Sequence, residues 1–267
     1  MLQIPRWISR IPLVRGVARL GITAYARLLK RRYLIDRRMG LLLMLDQTNV
    51  IDWQLLISGT WERPQLDRLF GLTSEQLRKR PDRAVFLDVG AHWGWCALLA
   101  HQSGLFDRII AIEPDPMSYG QLQANLVLND LAGEIEAIRA AASDRRRSFA
   151  LTQRNPRNRG ATRVAEPDER HPAVVQGHRL DELFQFDDRL LVIKIDVEGH
   201  ELEAIHGMRN LVANNACIIQ IEVWDDLRRG PVDQLQVVSR LLEQWGVRQH
   251  SEIQPDYFFV SKSPSGG

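Results

Sequence analysis

The sequence predicts an α/β fold, a mostly parallel sheet covered by helices on both faces, preceded by a basic helical extension. Three features lead to it. After Pro81, short β-type apolar runs alternate with helical patterns, the order that builds a helix-covered parallel sheet. A strand-to-helix turn in that region carries Gly90 and Gly94. Residues 1–40 hold ten Lys or Arg against a single acid, Asp36, so this segment is +9 and the remainder of the chain −7.

From Trp7 onward, Ile11, Val14, Ala18, Ile22, Tyr25 and Leu29 recur at three- and four-residue steps, which lines one face of a helix within an extension spanning residues 1–40. A basic amphipathic helix of this kind most often packs on its own domain's core; peripheral contact with an anionic membrane surface on the cytoplasmic side, through residues 1–38, is the alternative. Arg6, Arg10, Arg15 and Arg19 interrupt every apolar run. That pattern leaves neither a secretory signal core nor the ~20 apolar residues of a membrane span, so a cytoplasmic location is expected. The acidic remainder shows no interleaving of basic and aromatic residues, which argues against a nucleic-acid partner. Cys96 and Cys217 are the two cysteines; they form no disulfide framework and no zinc spacing, and fit a reducing compartment.

Residues 41–80 read as a strand-turn-helix lead-in packed on the core, and residues 81–267 as the catalytic domain. Strands are expected at Val85–Val89, Ile109–Glu113, Ile135–Ala140, Leu190–Asp196 and Cys217–Val223. Helices fit at Trp95–Ser103, Met117–Leu128, Glu201–Val212 and Val232–Trp245. The tail closes as a strand pair, with Tyr257–Val260 last and antiparallel on the sheet edge. Residues 153–172 carry Pro, Gly, Asn and many charges without an apolar period. They read as a mobile loop at the tip of a hairpin formed by the flanking RSFALT and AVVQG.

The segment FLDVGAHWGW is an apolar strand reaching Asp88, then a turn through Gly90, Ala91, His92 and Gly94, then a helix. Glycines at such a turn let backbone approach a ligand at the carboxyl edge of a sheet. A dinucleotide fingerprint would need small residues where His92 and Trp95 stand, and no GK[ST] follows for a P-loop. A second strand ends in Glu113 before Pro114, 23 residues after Gly90, where an acid can take both hydroxyls of a ribose. A phosphate-free adenosyl ligand fits both observations.

The residues DVGAHWGW, IEPDP with QLQANLVLN behind it, and above all KIDVEGHELEAIHGM resemble the FkbM-type methyltransferases, as does the lead-in GTWE. The resemblance runs from about Gly59 to Val223. It implies the seven-stranded class I methyltransferase sheet (Rossmann-like) and transfer of a methyl group from S-adenosylmethionine to a hydroxyl. The acceptor would be a small molecule or a glycan, such as a sugar of a glycolipid or polysaccharide. Gly90 and Gly94 would line the methionine part of the cofactor, Glu113 the ribose, and the turn Ala142–Ser143–Asp144 the adenine, with Asn125 structural. His92 and Trp95 depart from the family, which more often has Asn and a smaller aromatic there.

KIDVEGHE places Asp196 and Glu198 at the carboxyl end of a central strand, with His200 and Glu201 opening the next helix. Methyl transfer gains most from holding the acceptor oxygen in near-attack geometry, and a base is needed only for the hydroxyl proton. His200, Glu198 and Asp196 are candidates, with Glu222 on the next strand a further one; Asp196 also suits the cofactor's amino group. No metal is expected, although Asp196, Glu198, His200 and Glu222 could together offer ligands to a divalent ion. Trp53, Trp61, Trp224 and Tyr257 are candidates for the rim of the acceptor pocket. The rival readings are a nicotinamide-dependent oxidoreductase and a membrane-surface protein with a degenerate methyltransferase domain.

Overall fold

The structure, a computed structural model, describes residues 32–79, 84–153, 155, 157–223 and 234–261. The amphipathic helix expected from Trp7 to Leu29, and Trp224, lie outside them. The described chain opens with a hairpin of β1 (Tyr33–Arg38) and β2 (Leu41–Asp46), then helices α1 (Val50–Ser58) and α2 (Arg63–Leu77). The core runs through β3 (Ala84–Val89), α3 (Trp95–Ser103), β4 (Phe106–Ile112), α4 (Pro116–Leu128) and β5 (Ile135–Ile138). An insertion of short strands follows: β6 (Ala141–Ala142), β7 (Arg147–Gln153), β8 (Thr162–Ala165) and β9 (Val175–His178). The core resumes with α5 (Leu180–Leu183), β10 (Leu190–Ile195), α6 (Glu201–His206), α7 (Arg209–Ala213) and β11 (Ala216–Glu222). It ends with α8 (Gln234–Gln244), β12 (Val247–Ile253) and β13 (Asp256–Ser261).

Among the described residues the main sheet has seven strands in the order β12-β13-β11-β10-β3-β4-β5. β13 runs antiparallel to both of its neighbours and the other pairings are parallel, which is the expected class I methyltransferase sheet. All residues of β3 (AVFLDV) and β10 (LLVIKI) are buried, as suits central strands covered on both faces. The order of strands reverses between these two, so a crevice opens at their carboxyl ends. No helix among the described residues is long and apolar enough to cross a membrane.

Three expectations are corrected. Residues 33–38 are a strand and not part of a helical extension: β1 pairs with β2 through a two-residue turn at Met39 and Gly40, both with positive φ. The division at residue 40 therefore cuts through a hairpin. The helix expected over Glu201–Val212 breaks at Gly207 and Met208, where a Cβ on Gly207 would lie 1.9 Å from the carbonyl oxygen of Ser143. The loop expected over 153–172 contains β8, which pairs with β7, and a short 3-10 turn at Arg159–Ala161. RSFALT and AVVQG do pair, as β7 and β9.

The hairpin docks on α4 through amide side chains spaced four residues apart. Met44 N donates to Asn125 Oδ1 at 2.7 Å, and Gln121 Nε2 donates to Met44 O at 2.8 Å. Asn129 both accepts from Leu42 N and donates to Leu42 O. The spacing puts Gln121, Asn125 and Asn129 on one helix face, where they satisfy backbone groups along the free edge of β2. Asn125 also donates to the carbonyl of Trp93 at 2.9 Å, so the hairpin is tied to the glycine turn. Its expected structural role is thereby given a mechanism.

Candidate active site

A cleft of about 320 Å3 lies over the carboxyl ends of β3, β4, β10 and β11. Gly90 forms its floor with φ +89, and a Cβ there would fall 1.8 Å from the carbonyl oxygen of Asp196. The amides of Gly90 and Ala91 both donate to Ile112 O, at 2.9 and 3.0 Å, and Asp196 N donates to Val89 O at 2.9 Å. The turn is thus sewn to strands on both sides. Asp88 is buried and accepts from Ala97 N at 3.1 Å, which caps the first turn of α3. Gly94 has φ +90 and approaches Leu122 of α4.

Glu113 faces the turn from the end of β4. One carboxylate oxygen accepts from His92 N at 2.7 Å, the other from Asp115 N at 2.8 Å. Each oxygen keeps a second lone-pair direction, so the carboxylate can still accept from two hydroxyls. Pro114, Ala142 and His92 line the same side of the cleft. Ser143 is fully buried, and its hydroxyl lies 3.4 Å from His200 Nε2.

The opposite side of the cleft is a cluster of charge. Lys194, buried on β10, holds its ammonium 3.0 Å from Asp196 and 3.6 Å from Glu62. Carboxylate oxygens of Glu62, Asp196 and Glu222 lie within 4.8 Å of one another. A cation is already supplied to that trio by Lys194. The other two residues considered with Asp196 and Glu222 line the same cleft outside that trio: Glu198 is 3.8 Å from Arg163 of β8, while His200 packs edge-on against Phe149 of β7.

Sequence reasoning missed Glu62 and Lys194 as site residues. A lysine inside the otherwise apolar LLVIKI was the available signal, because a buried ammonium demands a carboxylate partner. Glu62 had none beyond its place in GTWE. It reaches the site because Trp95 donates its indole N–H to the carbonyl of Trp61 at 2.9 Å. Trp61 lines the cleft, whereas Tyr257 is buried in the core and Trp53, on α1, is not among the lining residues.

The insertion closes one wall. Arg159, buried between β7 and β8, ion-pairs with Asp46, and donates to Gln121 Oε1 at 2.7 Å. Its own amide donates to Asn49 Oδ1 at 3.1 Å, and Val50 N donates to Arg157 O at 2.8 Å. Gly160 thereby packs against Ile51 of α1, and Asn158, Thr162 and Val164 line the cleft together with Ile51 and Gln54.

Burial dominates the electrostatics. It pushes Glu113 up to about 8 and Asp88 to about 6. It pushes Glu62 up to about 7 and Glu222 to about 10, the nearby Asp196 carboxylate adding to both. Burial lowers His92 to about 3, leaving a neutral imidazole, and also lowers His200. An acid with a raised folded pKa contributes stability that is full below its unfolded value and is lost as pH climbs through the folded one. For Glu113 and Glu222 that loss runs from about 4.5 up to about 8 and about 10. His92 works in the opposite sense, losing its contribution as pH falls from about 6.5 toward about 3. Between pH ~6.5 and ~8 the acids therefore dominate. The melting temperature of the ligand-free protein should fall across that window, and Glu222→Gln should lessen the fall; a rising melting temperature would contradict these buried, protonated acids.

The sequence pattern of the Methyltransferase FkbM domain matches residues 88–248. Methyltransferase sdnD of Sordaria araneosa is 26% identical over 216 residues, covering 67% of this chain and 80% of that protein. Among solved structures, a methyltransferase FkbM from Methylobacillus flagellatus KT aligns with a TM-score of 0.43 at 16% identity, covering 96% of this chain. The present chain spans 60% of that relative's length. TYW2 of M. jannaschii, solved in complex with AdoMet, aligns with a TM-score of 0.40 at 12% identity, covering 86% of this chain and 84% of that one. Because the matched pattern takes in more than half the chain, with the glycine turn, Glu113 and the strand of Lys194, this protein belongs to the FkbM methyltransferase family.

Proposed function

We propose that the methyl donor is S-adenosylmethionine and that the acceptor atom is a hydroxyl oxygen of a sugar, free or within a glycolipid or polysaccharide. One observation carries the choice of donor: Glu113 faces the glycine turn with lone-pair directions to spare for two hydroxyls, and Asp88 and Asp196 stand at the neighbouring strand ends, with the Lys194 ammonium beside Asp196. A pyrophosphate would meet the Asp88 and Asp196 carboxylates there, which disfavours a nicotinamide dinucleotide. A ligand with a sulfonium, an ammonium and no phosphate meets complementary charge.

The residues present fit that ligand. Glu113 would hold the ribose hydroxyls and the Ala142–Ser143 turn the adenine, while the Gly90–Gly94 turn and Asp196 would receive the methionine end. When bound, the cofactor supplies a methyl group activated by its sulfonium. The protein's part is to bind the acceptor, exclude water and accept one proton. Trp61 offers an aromatic face to a sugar ring, while Gln54, Asn158 and Thr162 offer polar groups to hydroxyls.

Labelled S-adenosylmethionine incubated with a panel of methyl hexosides and with extracted glycolipids tests both halves of the reading. Label is expected on a sugar oxygen; label on nitrogen or carbon, or none at all, would overturn it. Glu113→Ala should weaken S-adenosylhomocysteine binding by at least about tenfold, or about 1.4 kcal/mol, in calorimetric titration. Equal affinity would refute the ribose assignment.

A further inference from the structure

We infer that Glu62 takes the proton from the acceptor hydroxyl, with Lys194 as the positioning residue that balances its charge. The inference rests on the O-methylation reading above and assigns the base within it. Three observations place Glu62 there. It lines the acceptor side of the cleft beside Trp61, across β3 from Glu113. Its carboxylate is aimed by two contacts: the indole N–H of Trp61 donates to Oε1 at 2.9 Å, and the ammonium of Lys194 lies 3.6 Å from Oε2. Its backbone is held at φ +47, a left-handed conformation costly for a side chain other than glycine, as found where a structure over-determines a working residue.

The neighbouring acids are less suited. Asp196 is committed to Lys194 at 3.0 Å and abuts the glycine turn, on the cofactor side. Glu222, raised to about 10, already carries a proton at neutral pH. His200 and Glu198 are engaged with Ser143 and Arg163. Glu62 feels Lys194 and Asp196 from β10, Glu222 from β11 and Asp256 from β13, with Asp88 and Cys96 around the same ammonium. Burial and this surrounding charge raise it to about 7, where a base is half ready to accept and half ready to release. In the transfer, the hydroxyl oxygen forms the new C–O bond and the C–S electron pair stays with the departing thioether sulfur. The hydroxyl proton goes to a Glu62 carboxylate oxygen and from there to water.

The test compares wild type and Glu62→Gln, with labelled S-adenosylmethionine and the most reactive methyl hexoside. The kcat of Glu62→Gln should fall by about 10²–10⁴-fold, and its S-adenosylhomocysteine affinity should stay within about twofold. The wild-type kcat profile should lose activity below an apparent pKa near the Glu62 value, and the variant should lack that limb. Infrared difference titration of the ligand-free proteins gives a readout independent of turnover: a protonated-carboxyl component titrating between those of Asp88 and Glu113 in wild type and lost from the band in Glu62→Gln. Lys194→Met should move the acid limb to higher pH, which a merely structural lysine would not do; if it does not fold, the infrared comparison decides. Unchanged kcat and an unchanged acid limb in Glu62→Gln would overturn the assignment while leaving O-methylation standing. So would a divalent-cation requirement abolished by EDTA, since the carboxylates would then be ligands. A wild-type protein that transfers no label to any hexoside or extracted glycolipid would instead sink the O-methylation reading itself.

Discussion

Gly90→Ala should destroy the proposed cofactor site and cost more than about 3 kcal/mol of stability. The added Cβ would stand 1.8 Å from the Asp196 carbonyl oxygen, and φ +89 is a conformation that L side chains rarely adopt. Neither partner can yield cheaply. Asp196 is bonded through its amide to Val89 O, and Gly90 through its amide to Ile112 O, so a shift at either end opens the sheet between β10, β3 and β4. Glu113 would move with it, because it grips the turn through His92 N. A displacement of about 1 Å at the reacting centre is enough for roughly 10²-fold in turnover. Gly94→Ala is the internal comparison: its Cβ would meet Leu122 Cδ1 at 2.4 Å, the end of a flexible side chain, so a smaller loss is expected. Chemical denaturation and calorimetric titration with S-adenosylhomocysteine measure both. A Gly90→Ala protein that binds normally would show that the turn is not packed as described.

Arg159→Met should destabilise the protein by roughly 3 kcal/mol, at the lower end of the range for breaking a buried ion pair. The guanidinium is buried against Asp46 and Gln121, and burial alone would raise Asp46. The hydrogen bonds from Thr48 and Arg159 more than reverse that, so the carboxyl ends below its usual range. Methionine keeps much of the volume and removes the charge, leaving Asp46 with the half-exposed Arg32 as its ion-pair partner among the described residues. Arg32→Ala, which removes that outer partner, should cost less than about 1 kcal/mol. For a domain of this size the two changes correspond to falls of roughly 6–12 °C and under about 4 °C in melting temperature. The loss should extend to function, because Arg159 fastens the strand insertion to the lead-in segment across the mouth of the cleft. KM for the acceptor is expected to rise more than the dissociation constant for S-adenosylhomocysteine. Equal melting temperatures for the two variants would contradict the buried pair.

Much of the core could be read before any coordinates. β3, β4, β10 and β11 agree with the expected strands to within a few residues, and Trp95–Ser103 is the expected helix. Their apolar runs are long and bounded by turn residues, so local pattern and tertiary burial point the same way. β1 escaped notice because its turn is Met39–Gly40, and a methionine at positive φ sends no signal of the kind that asparagine or aspartate would. β8 and Arg159 were hidden in a charged stretch. Their order comes from Asp46 and Gln121, partners 113 and 38 residues away in sequence, which no window of neighbouring residues reports.

The sequence alone determined the layered parallel sheet, the glycine turn after β3 and the acid at the end of β4, because periodicity, glycine and strand-end position are local properties of a chain. Only the tertiary structure decided which charges share the cleft. Glu62, Lys194, Asp196 and Glu222 come from well-separated stretches of sequence, and their ionisation follows from burial and mutual distance, quantities that exist only once the chain has folded.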